Sequence, residues 1–177
     1  VATNRLASYG FLTTRGHTLQ TLAEITHVAF DKTGTLTYGK PNLLNIELLA
    51  SHDTTAVSDE EKDKLLAIAA ALEVGSRHPI AHALLTAAYQ LHLPATQALQ
   101  YYPAGGVEAM IDGVLYRIGH VDFALDRTGH AANADNDLII DLATHRASSA
   151  VVLSCQDSQS SAWQALAGFY FNDKVRD

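Results

Sequence analysis

The feature of this sequence that most constrains its fold is a short apolar run that ends in an aspartate. Residues 27–30 (His-Val-Ala-Phe) predict a buried β-strand, and Asp31 follows at its carboxyl end. Residues 32–35 (Lys-Thr-Gly-Thr) favour a loop or turn directly afterwards. Open α/β sheets carry their chemistry at the carboxyl ends of their strands. The pattern therefore predicts an α/β lead-in unit in which Asp31 is a candidate reactive group.

A second unit is predicted beyond residues 38–41 (Tyr-Gly-Lys-Pro), which mark a candidate domain boundary. Ser58 and Glu61 have the spacing of a helix capping box, and His78 followed by Pro79 is typical of another helix start. Further strands are expected at residues 43–49, 150–154 and 165–171, and a loop at 126–136. Residues 99–119 alternate loosely and turn twice on glycine, and the second turn, at 112–113, predicts a hairpin. The expected fold class is α/β of the α+β kind, with an antiparallel or mixed sheet and two adjacent helices.

Composition excludes several classes of protein. Of 177 residues, 47% are hydrophobic and 18% are charged, which is a globular profile. The net charge of −7 gives no basic face for nucleic acid. No apolar run approaches the ~20 residues of a membrane helix, and the first residues have no signal-peptide pattern. A single cysteine, Cys155, excludes an intrachain disulfide. We expect a soluble chain that, lacking an initial Met, is an excised or processed piece.

Residues 31–37 (Asp-Lys-Thr-Gly-Thr-Leu-Thr) carry the most specific chemistry in the sequence. Asp31 is a candidate nucleophile that would accept a phosphoryl group as an aspartyl phosphate. Lys32 would add positive charge near that group, and Gly34 would let backbone N–H groups face its oxygens. Thr33 cannot donate or accept a proton as a carboxylate would. The acyl phosphate is therefore expected to be long-lived, which suits energy coupling better than hydrolysis of phosphate esters.

These seven residues are the phosphorylation signature of P-type ATPases, and other segments resemble the heavy-metal-transporting P1B branch of that family. Residues 76–79 (Ser-Arg-His-Pro) resemble its Ser-Glu-His-Pro motif, with Arg77 in place of Glu. Glu73 matches an ATP-contacting glutamate of the family. Residues 103–107 (Pro-Ala-Gly-Gly-Val) resemble its Gly-x-Gly turn, with Ala104 in place of the first glycine.

The resemblance continues to the end of the chain and implies a domain organisation. Residues 116–120 (Tyr-Arg-Ile-Gly-His) resemble the family's Ile-Gly-Asn stretch, and 172–176 (Asn-Asp-Lys-Val-Arg) resemble the Asp-x-x-Arg strand that returns to the phosphorylation domain. Residues 1–40 would then be an incomplete part of that Rossmann-like, haloacid-dehalogenase-type domain. Residues 41–171 would be the nucleotide-binding domain, and 172–177 the return hinge.

The resemblance also implies ATP and Mg²⁺ as cofactors and assigns roles to individual residues. Asp31, Lys32 and Thr33 would form the catalytic segment. The Asp31 carboxylate and the Thr33 carbonyl would share Mg²⁺ in an incomplete site. Asp173 and Arg176 would belong to the hinge. The residues expected to bind ATP are Glu73, His78, Gly106, Val107, Gly119 and His120.

The function expected from the resemblance is that of a cytoplasmic ATP-binding fragment of a membrane pump for a heavy-metal cation, with Cu⁺ first. Its partners would be ATP, the remaining phosphorylation, actuator and transmembrane domains, and the transported ion. The family's Thr-Gly-Asp and Gly-Asp-Gly-x-Asn-Asp segments do not occur in this sequence, so the chain alone is expected to turn over little ATP. Two alternatives are a free-standing haloacid-dehalogenase-type phosphatase, against which Thr33 argues, and a non-catalytic nucleotide-binding module.

Overall fold

The computed structural model describes residues 2–12, 15, 17–49, 58–126, 149–156 and 161–176. The chain divides into two compact units, Val1–Lys32 and Thr33–Asp177. The described part of the first unit contains two short helices, α1 (Ala2–Ser8) and α2 (Thr18–Glu24). The strands and the longer helices among the described residues belong to the second unit.

The strand predicted at residues 27–30 is not formed in the first unit. Beyond α2 the residues up to Asp31 have no assigned secondary structure, and Val28 and Phe30 are 61% and 65% exposed. A strand is stabilised by a hydrogen-bonded neighbour and by burial of one face, and this run has neither within the described residues. The prediction of a buried strand before Asp31 is therefore wrong, and Asp31 itself is exposed.

The second unit is built on a six-stranded sheet with the spatial order β1-β6-β5-β4-β3-β2. Its strands are β1 (Thr37–Leu48), β2 (Gln97–Tyr102), β3 (Gly106–Ile111), β4 (Val114–Gly119), β5 (Ser149–Gln156) and β6 (Trp163–Val175). Every neighbouring pair is antiparallel. A five-residue π-helical turn, Lys32–Leu36, precedes β1.

Two longer helices pack on the sheet, α3 (Asp59–Leu72) against β3 and β4 and α4 (Pro79–Ala87) against β1. The N-cap half of the predicted capping box is confirmed, because the Ser58 hydroxyl accepts a hydrogen bond from the Glu61 N–H at 3.3 Å. The largest fully buried side chains include Phe169, Phe171, Leu72, Leu84 and Ile118, so the core lies between the two helices and the sheet. The predicted fold class, an antiparallel sheet with two adjacent helices, is confirmed.

The loops agree with the sequence in part. The turn at Asp112 and Gly113 has positive φ at both residues, as the expected hairpin requires, and a short helix α5 (Val121–Ala124) follows β4. Residues 38–41 lie inside β1, where the register with β6 shifts, and do not interrupt the strand. Residues 127–136 of the predicted loop lie outside the described residues. The domain limits at residues 40 and 171 remain predictions.

Candidate functional site

Glu73 lies at the C-terminus of α3 with its side chain 9% exposed. Its Oε2 atom has no hydrogen-bond partner among the described residues. Burial raises the pKa of Glu73 above its ordinary value, and a hydrogen bond with Ser76 and the nearby His78 partly offset this. A buried carboxyl group with an unpaired oxygen is costly for a folded chain and is a feature of binding sites more often than of plain cores.

His78 caps α4 and remains exposed. The Nδ1 atom of its ring accepts a hydrogen bond from the Ile80 N–H at 3.3 Å. The backbone N–H of His78 donates to the Ser76 hydroxyl at 3.3 Å. A neutral imidazole that accepts at Nδ1 carries its proton on Nε2. The ring therefore has a capping role and also presents a donor that a ligand can use. The predicted helix start and the predicted binding residue coincide in this side chain.

Gly106 and Gly119 face each other where β3 begins and β4 ends. A Cβ atom on Gly106 would lie 2.1 Å from the Ile118 carbonyl oxygen, and one on Gly119 would lie 2.2 Å from the Gly105 carbonyl oxygen. These glycines are therefore required for the close approach of two strands, whether or not a ligand also contacts them. The sequence motifs indicated these glycines as ATP-binding residues and did not predict this close contact between the two strands.

The other two predicted ATP-binding residues flank this glycine pair. Val107 is 3% exposed and packs in the core, so its contribution to a ligand site would come from its backbone. His120 is exposed, its N–H donates to the Gly105 carbonyl at 2.9 Å, and its Nδ1 lies 3.5 Å from the Asp122 carboxylate. The backbone at His120 is thus fixed against the β2–β3 turn, while its ring is accessible.

Tyr101 connects the glycine turn to the end of α3. Its hydroxyl donates to the Val74 carbonyl at 3.1 Å, and its backbone pairs with Val107 across β2 and β3. Glu73 and the glycine pair therefore belong to one region of the second unit. Sequence reasoning missed Tyr101, because no spacing rule relates it to a carbonyl 27 residues earlier.

A second group missed from the sequence surrounds Arg117. Its Nε donates to the Glu108 carboxylate at 2.7 Å, and its guanidinium carbon lies 4.0 Å from the ring centre of Trp163 and 4.9 Å from that of Phe123. The Arg117–Glu108 pair is cross-strand, since these residues face each other in β3 and β4. Opposite charges and stacked rings of this kind stabilise a hairpin.

The two predicted hinge residues join the ends of β1 and β6. The Asp173 carboxylate accepts hydrogen bonds from the Thr37 hydroxyl and from the N–H groups of Gly39 and Lys40, each N–H at 3.1 Å. Arg176 donates from Nε to the Thr37 carbonyl at 3.0 Å and from Nη2 to the carbonyl of residue 34 at 3.2 Å. We call Thr37, Asp173 and Arg176 the strand-end cluster.

The predicted catalytic segment is divided between the two units. Asp31 is exposed in the first unit, and the Lys32–Leu36 turn gives residues 32 and 33 a helical backbone. Among the described residues, no group of three or more His, Cys, Asp or Glu side chains lies close enough to hold a metal ion. No helix in the described part is both long and apolar enough to cross a membrane.

Comparison with known proteins identifies the family. A model of the haloacid dehalogenase-like hydrolases matches residues 25–166, most of the chain, which therefore belongs to that family. This chain is 44% identical over 122 residues to the "Probable copper-transporting ATPase SynA" of Synechococcus, and the match covers 68% of this chain and 14% of that protein. It is 39% identical over 109 residues to a zinc/cadmium/lead-transporting P-type ATPase of Escherichia coli, covering 60% of this chain and 14% of that protein.

A solved structure shows the same fold. The catalytic domain of the CPx-ATPase CopB-B superposes with a TM-score of 0.64 at 19% identity, covering all of this chain and 55% of that one. The chain is thus homologous to heavy-metal P-type ATPases, and the resemblance noted from its motifs is confirmed. It spans about 14% of the length of the two curated relatives.

Proposed function

We propose that this chain is the ATP-binding part of a P-type ATPase that moves a heavy-metal cation across a membrane. The homology to copper and zinc transporters and the seven residues 31–37 support the class of reaction. The main support for nucleotide binding comes from Glu73. Its buried carboxylate oxygen lacks a hydrogen-bond partner among the described residues, and the exposed His78 lies nearby. ATP, the other domains of the pump and the transported ion would be its partners, at the cytoplasmic face of the membrane.

The adenosine end of ATP would bind in the region between the end of α3 and the glycine pair. A turn of the Glu73 side chain would give its unpaired oxygen a donor from the purine, which removes the cost of leaving it unsatisfied. The Nε2 proton of His78 and its ring face would contact the base. Backbone groups at Gly106, Val107 and Gly119, with the His120 side chain, would complete the contacts.

Phosphoryl transfer would use the catalytic segment. The Asp31 carboxylate attacks the γ-phosphorus of ATP, the bond from that phosphorus to the β–γ bridging oxygen breaks, and ADP leaves. Lys32 stabilises negative charge on the transferred group. The Asp31 carboxylate and the Thr33 carbonyl are oxygen donors of the kind Mg²⁺ prefers, so the donor chemistry fits that ion. When bound, Mg²⁺ neutralises charge on the phosphate oxygens.

The rest of the cycle depends on the hinge and on the cation. Asp173 and Arg176 would transmit movement between the nucleotide-binding domain and the phosphorylation domain. The relatives include copper and zinc transporters, so Cu⁺ is the first cation to test and Zn²⁺ the second. Thr33, in place of a carboxylate, would keep the aspartyl phosphate long-lived enough to drive transport.

Acid trapping of the phosphoenzyme tests this function in the complete transporter. With [γ-³²P]ATP and Mg²⁺, the wild type should retain label that hydroxylamine removes, and Asp31→Asn should retain none. The 177-residue chain alone should bind ATP with little turnover. Hydroxylamine-sensitive label in the Asp31→Asn transporter would contradict the assignment, and rapid hydrolysis of a generic phosphomonoester by this chain would favour a free-standing phosphatase instead.

A further inference from the structure

A cleft of about 490 Å³ lies between the start of β1 and α4, outside the region assigned to adenosine. Residues 39–42 line one side. Arg77 and residues of α4, including Pro79, His82 and Thr86, line the other. Its volume is within the range of about 300–1,000 Å³ that small-molecule sites occupy. The cleft is therefore large enough for more than a single small ion.

The charges that line this cleft have one sign. Lys40 and Arg77 carry positive charge, and no acidic residue is among the described lining residues. The Asp173 carboxylate accepts hydrogen bonds from the Gly39 and Lys40 N–H groups and from the Thr37 hydroxyl, so it places one negative charge beside the β1 wall. The two cationic side chains of the lining outnumber it. In a chain with net charge −7, this local excess of positive charge favours an anion.

The arrangement suits a phosphate chain more closely than a single carboxylate. Two cationic side chains on facing walls can each contact a different phosphate group, and a guanidinium such as that of Arg77 binds phosphate through paired N–H donors. Asn42 adds a neutral amide donor to the β1 wall. Arg77 also directly precedes His78, so the cleft begins one residue from a side chain assigned to the adenosine end.

We propose that this cleft binds the polyphosphate of the nucleotide and that Arg77 makes the chain distinguish ATP from adenosine. This inference rests on the proposed function for the position of the base. The same chemistry would also accept a free polyphosphate, and the ligands used in the test separate these two sources. A positively charged cleft near the base orients the phosphate chain and strengthens ATP binding without contacting the purine.

Isothermal titration of the 177-residue chain with ATP, adenosine and inorganic tripolyphosphate tests the inference. Wild type should bind ATP more tightly than adenosine. Arg77→Glu should weaken the binding of ATP and of tripolyphosphate by about tenfold or more, because it removes a charge-assisted contact and adds a carboxylate that repels phosphate, with adenosine affinity unchanged. Lys64→Glu is the matched control, because it makes the same change in net charge on an exposed part of α3 outside the cleft lining. Lys40→Gln should also lower the affinity for ATP.

The outcomes separate the cleft from the adenosine site. If adenosine binds but ATP binds no more tightly, or if Lys64→Glu weakens ATP as much as Arg77→Glu, the inference is overturned while the proposed function stands. If tripolyphosphate binds in an Arg77-dependent manner and adenosine does not bind, the cleft stands with a free polyphosphate as its ligand and the proposed adenosine site fails. If none of the three ligands binds, both the polyphosphate cleft and the proposed adenosine site are contradicted.

Discussion

The hydroxyl of Thr37 donates a hydrogen bond to the carboxylate of Asp173, a residue 136 positions later in the chain. Thr37 is 1% exposed, so this bond is shielded from water. Arg176, directly after β6, donates two further hydrogen bonds to the carbonyl groups of residues 37 and 34. The strand-end cluster thus fixes the last residues of the phosphorylation signature to the end of β6. Any movement at this position has to preserve these bonds or break them together.

Asp173→Asn should reduce the free energy of unfolding by about 1–2 kcal/mol, because a neutral amide accepts these hydrogen bonds less well and its NH₂ group cannot accept at all. Urea unfolding at pH 7 measures the loss. Glu60→Gln is the control, since Glu60 forms an exposed ion pair with Lys64 and the substitution should cost less than about 0.5 kcal/mol. Equal losses in the two variants would contradict a stabilising strand-end cluster.

Gly106→Ala should destabilise the chain by about 2–3 kcal/mol, because its Cβ would overlap backbone atoms of β4 that cannot move without separating the strands. Gly113→Ala is the matched change in the neighbouring turn. That glycine has φ of +80° and open space around it, so only conformational strain of about 1 kcal/mol is expected. Thermal or urea unfolding compares the two. A smaller effect at residue 106 than at residue 113 would contradict the packing role of the glycine pair.

Ala104 occupies the turn between β2 and β3 with φ of +61°, a conformation that glycine adopts without strain. Ala104→Gly should therefore raise the free energy of unfolding by about 0.5–1 kcal/mol after the entropy cost of glycine is subtracted. Ala87→Gly, at an exposed position in α4, should lower it by a similar amount. Opposite signs in urea unfolding are the expected result, and two losses would show that residue 104 is not strained.

Glu73 should make stability depend on pH in a defined direction. Burial raises its pKa above the ordinary value of 4.5, so between that value and the folded pKa the native chain binds more protons than the unfolded chain. Stability contributed by this group is therefore present at low pH and is lost as pH rises. Glu73→Gln should be more stable than wild type by about 1 kcal/mol at pH 7, with the difference shrinking toward pH 5.

Urea unfolding at pH 5, 6 and 7 measures this difference, with Glu60→Gln reporting the loss of a negative charge from the same helix. If the advantage of Glu73→Gln is constant with pH, or has the opposite sign at pH 7, burial is not what perturbs this carboxyl group. The same variant should bind adenosine more weakly than wild type if Glu73 contacts the base. A gain in stability with a loss of binding is typical of a residue kept for function.

The sequence predicted local structure where a local rule applies. The N-cap at Ser58, the helix start at His78 and the hairpin at Asp112 and Gly113 each depend on neighbouring residues, and the structure confirms all three. The β-strand predicted at residues 27–30 was wrong because an apolar composition does not supply a neighbouring strand. Pairing is a property of the fold, and within the described residues this run has no partner.

The candidate site was predicted residue by residue but not as a geometry. Motifs identified Glu73 and His78, yet the unpaired Glu73 oxygen appears only when the packing around α3 is known. Tyr101 was missed because its partner Val74 lies 27 residues earlier in the chain. Arg117 was missed because the Trp163 ring beneath its guanidinium comes from a distant strand, β6. The cleft beside Arg77 likewise exists only because α4 packs against β1.

The most direct test of nucleotide binding is a ¹H–¹⁵N NMR titration of this chain with ATP, ADP and AMP. The account predicts saturable shifts with all three nucleotides that cluster at the amides near His78, Gly106 and Gly119. Amides of the Glu60–Lys64 turn of α3 serve as the internal reference. Absence of shifts at the predicted positions at millimolar ATP, or saturable shifts confined to other parts of the chain, would contradict an adenosine site between α3 and the glycine pair.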